Sequence, residues 1–251
     1  YNMMGAYSEG VNVTFDETFT GTVKGDIEYG AEVITEDWTE KTALVINGGT
    51  FTADSSCYAI ITSGTLIIND ATVTASRGAV SINSGEVVIE KGTFNVLGQE
   101  LQNTGYAVYF AGAERSTCTI NGGTFTNNAN YSSMRIWCDT DDNTEVTING
   151  GTFNGCIDLQ SVNGNANKGV LTINGGTFNA DTYTKSAVRL LGFGTDVDEI
   201  FGYINGGTFN GKIKLNNYVG GEFNSQVFFI KGGTFAEDTS EFVVPGYKAE
   251  Q

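Results

Sequence analysis

The chain contains no histidine in 251 residues. That absence excludes Ser-His-Asp and Cys-His catalysis, histidine-ligated metal sites and histidine proton relays together. Any proton transfer would fall to carboxylates, lysine, arginine or tyrosine. Proline occurs once, at Pro245, which excludes collagen and proline-rich linkers. No run of about 18 apolar residues exists, so no membrane insertion is expected. No signal peptide is visible, and a chain opening at Tyr1 is expected to be a processed or trimmed piece. Positive charge is scarce: 13 Lys and Arg against 29 Asp and Glu leave a net charge of −16. Nucleic acid and anionic lipid both require clustered cations, so neither is an expected partner.

Glycine and aromatic residues are what the chain has in quantity. The 34 glycines imply many tight backbone turns. The 16 Phe and 11 Tyr, with a hydrophobic content of 40%, argue for a packed core and against disorder. Much of this material lies in one recurring hexapeptide, Ile46-Asn47-Gly48-Gly49-Thr50-Phe51. Copies start at Ile46, Ile68, Ile89, Ile120, Ile148, Ile173, Ile204 and Ile230. Ile89-Glu-Lys-Gly-Thr-Phe94 has lost one glycine, and Ile68-Asn-Asp-Ala-Thr-Val73 is the most degenerate. A fixed motif recurring at intervals of 21 to 31 residues is the signature of a solenoid.

Each copy follows a short alternating segment, such as Leu44-Val45-Ile46 or Val146-Thr147-Ile148, whose outer residues are apolar. Period two marks a strand. Gly-Gly then supplies a corner, and the phenylalanine points back inward. A second alternating segment follows a variable loop, as in Val108-Tyr109-Phe110 or Ile157-Asp158-Leu159. Two or three strands per turn with no helical period predict an all-β fold. The expected architecture is a single-stranded right-handed parallel β-helix of about eight to ten rungs with capped ends. Phe51, Val73, Phe94, Phe125, Phe153, Phe178, Phe209 and Phe235 should form an internal column, and Asn47, Asn69, Asn121, Asn149, Asn174 and Asn205 an asparagine ladder. Residues 1–45 are expected to make an N-terminal cap and first irregular rung, 46–235 the repeats, and 236–251 a C-terminal cap, all in one domain and as a monomer.

The repeat resembles the right-handed β-helix repeats of large bacterial adhesin-like surface proteins, and the fold resembles the pectate-lyase-like superfamily. The resemblance implies a secreted or cell-surface location. It leaves activity open, because that superfamily holds lyases, hydrolases and non-enzymatic adhesins.

Function is sought where the rungs differ. The middle position of the second strand reads Ile60, Ser81, Tyr109, Trp137, Asp158, Arg189 and Lys214 down the rungs, with Arg135 nearby. Aromatic rings beside a carboxylate and a guanidinium suit a sugar: rings stack on its apolar face and polar groups hold its hydroxyls. Tyr109, Arg135, Trp137, Asp158 and Arg189 are therefore the candidate ligand-binding set, for a polysaccharide or a cell-surface glycan. Asp139, Asp141 and Asp142, in the loop after Cys138, are spaced as possible Ca²⁺ ligands. Resemblance to the superfamily's calcium-assisted lyases gives a rival in which Asp158 with Arg189 or Lys214 acts catalytically. A stripe of threonines, Thr50 to Thr234, resembles the ice-binding plane of β-solenoid antifreeze proteins, and a purely structural stalk is the remaining alternative. The cysteines Cys57, Cys118, Cys138 and Cys156 are too ill-placed for a disulfide and are expected to be buried thiols.

Overall fold

A computed structural model describes residues 4–6, 12–15, 22–24, 27–30, 43–53, 58–97, 105–111, 115–128, 131–138, 143–161, 168–192, 199–217 and 227–248. Nearly all of the described structure is strand, and every strand pairing is parallel. The strands fall into three nine-stranded sheets, here A, B and C, which the chain visits in rotation. One turn, for example, runs Gly78–Ile82 in A, Gly85–Ile89 in B and Thr93–Val96 in C. This is a parallel β-helix with three strands per turn. The early strands Met4–Ala6, Asn12–Phe15 and Thr22–Lys24 already pair in register with the next rung, so the ladders extend well before the first hexapeptide.

The hexapeptide spans the corner from sheet B to sheet C. Its isoleucine ends a B strand and its Thr-Phe begins a C strand, so all eight copies stack one above another. The phenylalanine column is present and buried. Consecutive rings from Phe94 to Phe235 lie 4.7 to 5.1 Å apart and within 9° of parallel. Rung spacing dictates that separation, since neighbouring hydrogen-bonded strands lie about 4.8 Å apart.

Both corner glycines answer to stacking. Gly151 has φ of 104°, in the left-handed region that favours glycine. Gly150 has no such requirement, but a Cβ there would sit 2.7 Å from the Asn121 carbonyl oxygen of the rung before. The asparagine ladder also forms. Asn149, Asn174 and Asn205 each donate Nδ2 to the Oδ1 of the preceding rung's asparagine at 2.8, 2.8 and 2.9 Å. Where the repeat degenerates, Glu90 takes over as acceptor for Asn121 at 3.0 Å. A second amide ladder on sheet C runs Asn210 to Asn179 to Asn154 to Thr126, at 2.8, 2.8 and 3.1 Å.

Beyond Phe235, the last ring of the column, the chain returns to the final strand of sheet B. The 3-10 turn Ser240–Phe242 lays Phe242 edge-on against Phe228 at 5.4 Å. Val243 makes a parallel bridge to Ile230. This cover limits the exposed strand edge of sheet B, which would otherwise invite further stacking.

Two substitutions test the stacking logic. Phe153→Ala removes a fully buried ring with a neighbour on each side and should cost about 3–5 kcal/mol in urea unfolding. Gly150→Ala should cost about 1–3 kcal/mol through overpacking against the carbonyl.

Candidate functional site

The candidate residues lie on the outer face of sheet A, and the register corrects their order. Tyr109 pairs with Arg135, not Trp137. Arg135 then pairs with Asp158, Asp158 with Arg189, and Arg189 with Lys214. Trp137 stands two residues further along the same face, beside Gln160 and then Leu191. At the other end, Ser81 pairs with Ile61; Ile60 points into the core. The column is therefore Ile61, Ser81, Tyr109, Arg135, Asp158, Arg189 and Lys214. All the candidate ligand-binding residues share the face, but Arg135 rather than Trp137 sits centrally.

Three tyrosines form the upper part. Tyr109 stacks with Tyr58 at 5.7 Å and with Tyr106 at 5.5 Å. Gly78 makes room for this: any Cβ there would overlap the Tyr58 ring. Arg77 lies over Tyr58, its guanidinium carbon 5.6 Å from the ring centroid. Burial raises the Tyr106 hydroxyl pKa, with Arg135 working against the shift.

Arg135 joins the two halves. It donates to the Tyr106 hydroxyl at 2.8 Å and to Gln160 Oε1 at 2.6 Å. Its guanidinium carbon lies 4.1 Å from the Trp137 ring centroid, a close cation–π arrangement. Two N–H groups here are buried without an acceptor among the described residues, Arg135 Nε and Trp137 Nε1. Buried donors of this kind are rare, and an ordered water or a ligand oxygen has the chemistry to serve them.

Asp158 is only 4% exposed. Arg189 grips it bidentately, Nε to Oδ1 and Nη2 to Oδ2, both at 2.7 Å. Ser132 Oγ donates to Oδ2, and the Cys156 thiol lies 3.4 Å from Oδ1. Burial works against the Arg189 charge, but the Asp158 pairing outweighs it and raises the pKa above the usual arginine value. Burial, then the Asp158 charge, raises the Cys156 thiol well above its ordinary range, which makes it a poor nucleophile. Cys118 is pushed up to about 12 by burial alone. Cys118, Cys138 and Cys156 are all buried; Cys57 lies outside the described residues.

Lys214 is exposed at the far end of the column. The Asp139, Asp141 and Asp142 calcium set lies outside the described residues. Among the described residues, no group of three or more Cys, Asp or Glu could hold a metal. On sheet C, Thr50 to Thr234 do stand in one register column. The column beside it becomes the second amide ladder, so the face is not a uniform hydroxyl plane.

Sequence reasoning missed Tyr58, Tyr106, Ser132 and Gln160. Tyr58 and Tyr106 align with Gly78 across one rung, so a register good to one residue would have revealed them. Comparison with known proteins returns no matching family model, no matching curated protein and no matching solved structure.

The Asp158–Arg189 pair predicts a stability pattern. Arg189→Ala should cost about 3–5 kcal/mol in urea unfolding by leaving a buried carboxylate uncompensated. The double variant Asp158→Leu/Arg189→Met should recover most of that loss.

Proposed function

We propose that the chain is an extracellular or cell-surface binding module that recognises a glycan along the outer face of sheet A. In this reading it works in the manner of the bacterial adhesin-like repeat proteins and belongs with the pectate-lyase-like β-helices. The observation that carries the reading is chemical. One face combines tyrosine and tryptophan rings with a guanidinium and two buried N–H donors without an acceptor among the described residues. Rings and fixed donors are what hold a sugar's apolar face and its oxygens. Charge supports it too. In a chain of net charge −16, three of the four arginines, Arg77, Arg135 and Arg189, gather here.

The binder is favoured over the calcium-assisted lyase. A lyase base must be free to take a proton, whereas Asp158 and Arg189 spend their polar atoms on each other. Lys214 alone of that set stands exposed.

A glycan array of neutral, amino and acidic oligosaccharides tests the reading. Labelled protein should bind a subset of the array, and Trp137→Ala should weaken that binding about tenfold or more, as loss of a buried aromatic anchor does. Undiminished binding by the variant would remove this face from the account. Accumulation of an ultraviolet-absorbing unsaturated product from an acidic polysaccharide would establish the lyase instead.

A further inference from the structure

The aromatic rings of sheet A are largely engaged with protein. Tyr109 has a tyrosine on either side, and Trp137 carries Arg135 on one face. The aromatic ring most open to solvent among the described residues is elsewhere: Tyr183, at 75% exposure. It stands in the turn between the C strand Thr177–Asn179 and the A strand Ser186–Gly192. The neighbouring C-to-A corner is two residues, Gly155-Cys156, and the corner beyond that contains Tyr131. Tyr183 and Tyr131 reach toward each other across the short corner, ring centroids 5.6 Å apart.

The Tyr183 turn is held from several directions. Buried Asp181 accepts from both the backbone N–H and the hydroxyl of Thr184. Lys185 N donates to Asp181 O at 3.2 Å, and Ser186 N to Thr184 Oγ1 at 3.2 Å. Lys185 has φ of 58°, the only positive φ outside glycine among the described residues. Such strain survives only where its surroundings over-determine it, and it clusters at ligand sites. An exposed ring already fixed in place loses little entropy when a ligand stacks on it.

Among the described residues, the charge around the turn is positive. Lys185 and Lys212 adjoin through the Lys212 N to Lys185 O hydrogen bond of 3.1 Å, and Lys214 follows on the same strand. All three are exposed, and none pairs with a carboxylate among the described residues. Among the described residues, the carboxylates of this neighbourhood, Asp158 and Asp181, are buried and already served.

The geometry points to a second contact site on this turn. It takes a pyranose ring against Tyr183, with Tyr131 behind it, and an anionic substituent of the same saccharide against Lys185 and Lys212. The site rests on the glycan reading but lies at the corner beside sheet A, outside the face that carries that reading. It assigns ligand contact to residues that follow the turn rather than the strand pattern.

The probes are matched neutral, carboxylated and sulfated oligosaccharides immobilised on one array. Wild-type protein should bind the acidic members at least about tenfold more strongly than the neutral ones. Tyr183→Ala should lose about tenfold, and Tyr183→Phe should stay close to wild type, with unchanged thermal melting for both. The Lys185→Gly/Lys212→Gln double variant should erase the preference for acidic members; glycine fits the φ at 185 without strain. Carboxylated and sulfated members bound alike would mean recognition of charge alone, and a preference would name the group; either outcome supports the site. Full binding by Tyr183→Ala alongside lost binding by Trp137→Ala would overturn this site and leave the sheet A reading standing. No binding by wild-type protein to any member would overturn both.

Discussion

The distance between one rung and the next governs everything else in this molecule. Parallel backbone ladders fix it, and each side chain repeated at a given position must tolerate an identical neighbour at that spacing. Phenylalanine does so by stacking face to face. Asparagine does so by donating its amide to the carbonyl of the asparagine below, which satisfies polar groups where the strand pattern turns. Glycine does so by having nothing to place against the carbonyl beneath it. The hexapeptide is a set of answers to one packing constraint.

The same constraint leaves other positions free. Outward positions of sheet A need only suit an exposed strand, and there the rungs differ: tyrosine, arginine, aspartate, arginine, lysine in succession. Adjacent rungs still impose neighbours on these residues. Asp158 is tolerable so far from water because Arg189 stands next to it in the ladder. Tyr58 and Tyr106 converge because the rung between them has glycine at the matching position. The varied face is thus built as tightly as the repeated one, with specific pairs in place of identical ladders.

Much of this was legible in the sequence. The period gave the solenoid, alternation gave the inward columns, and both the phenylalanine column and the asparagine ladder stand where the repeat puts them. Register within sheet A was not legible to the residue. In Met134-Arg135-Ile136-Trp137-Cys138, apolar and outward residues alternate throughout, so a slip of two residues keeps every side chain on its proper face. Nothing in the pattern then separates Arg135 from Trp137 as the partner of Tyr109. Ala59-Ile60-Ile61 fails differently: apolar residues on both faces leave even the parity open. The Tyr183 turn carries no period at all, and it is held by hydrogen bonds among Asp181, Thr184, Lys185 and Ser186 that only the folded chain brings together.

A division of labour in which repeated positions build the scaffold and varied positions bind has a direct mutational signature. A saturation mutational scan, scored in parallel for protease resistance and for capture on the oligosaccharide array, tests it directly. Substitutions in the Gly-Gly-Thr-Phe corners should lower both scores together, while many substitutions at Tyr109, Trp137 and Tyr183 should lower capture and leave protease resistance intact. Corner variants that stay protease-resistant yet lose capture would contradict it, because the repeat would then be the binding surface.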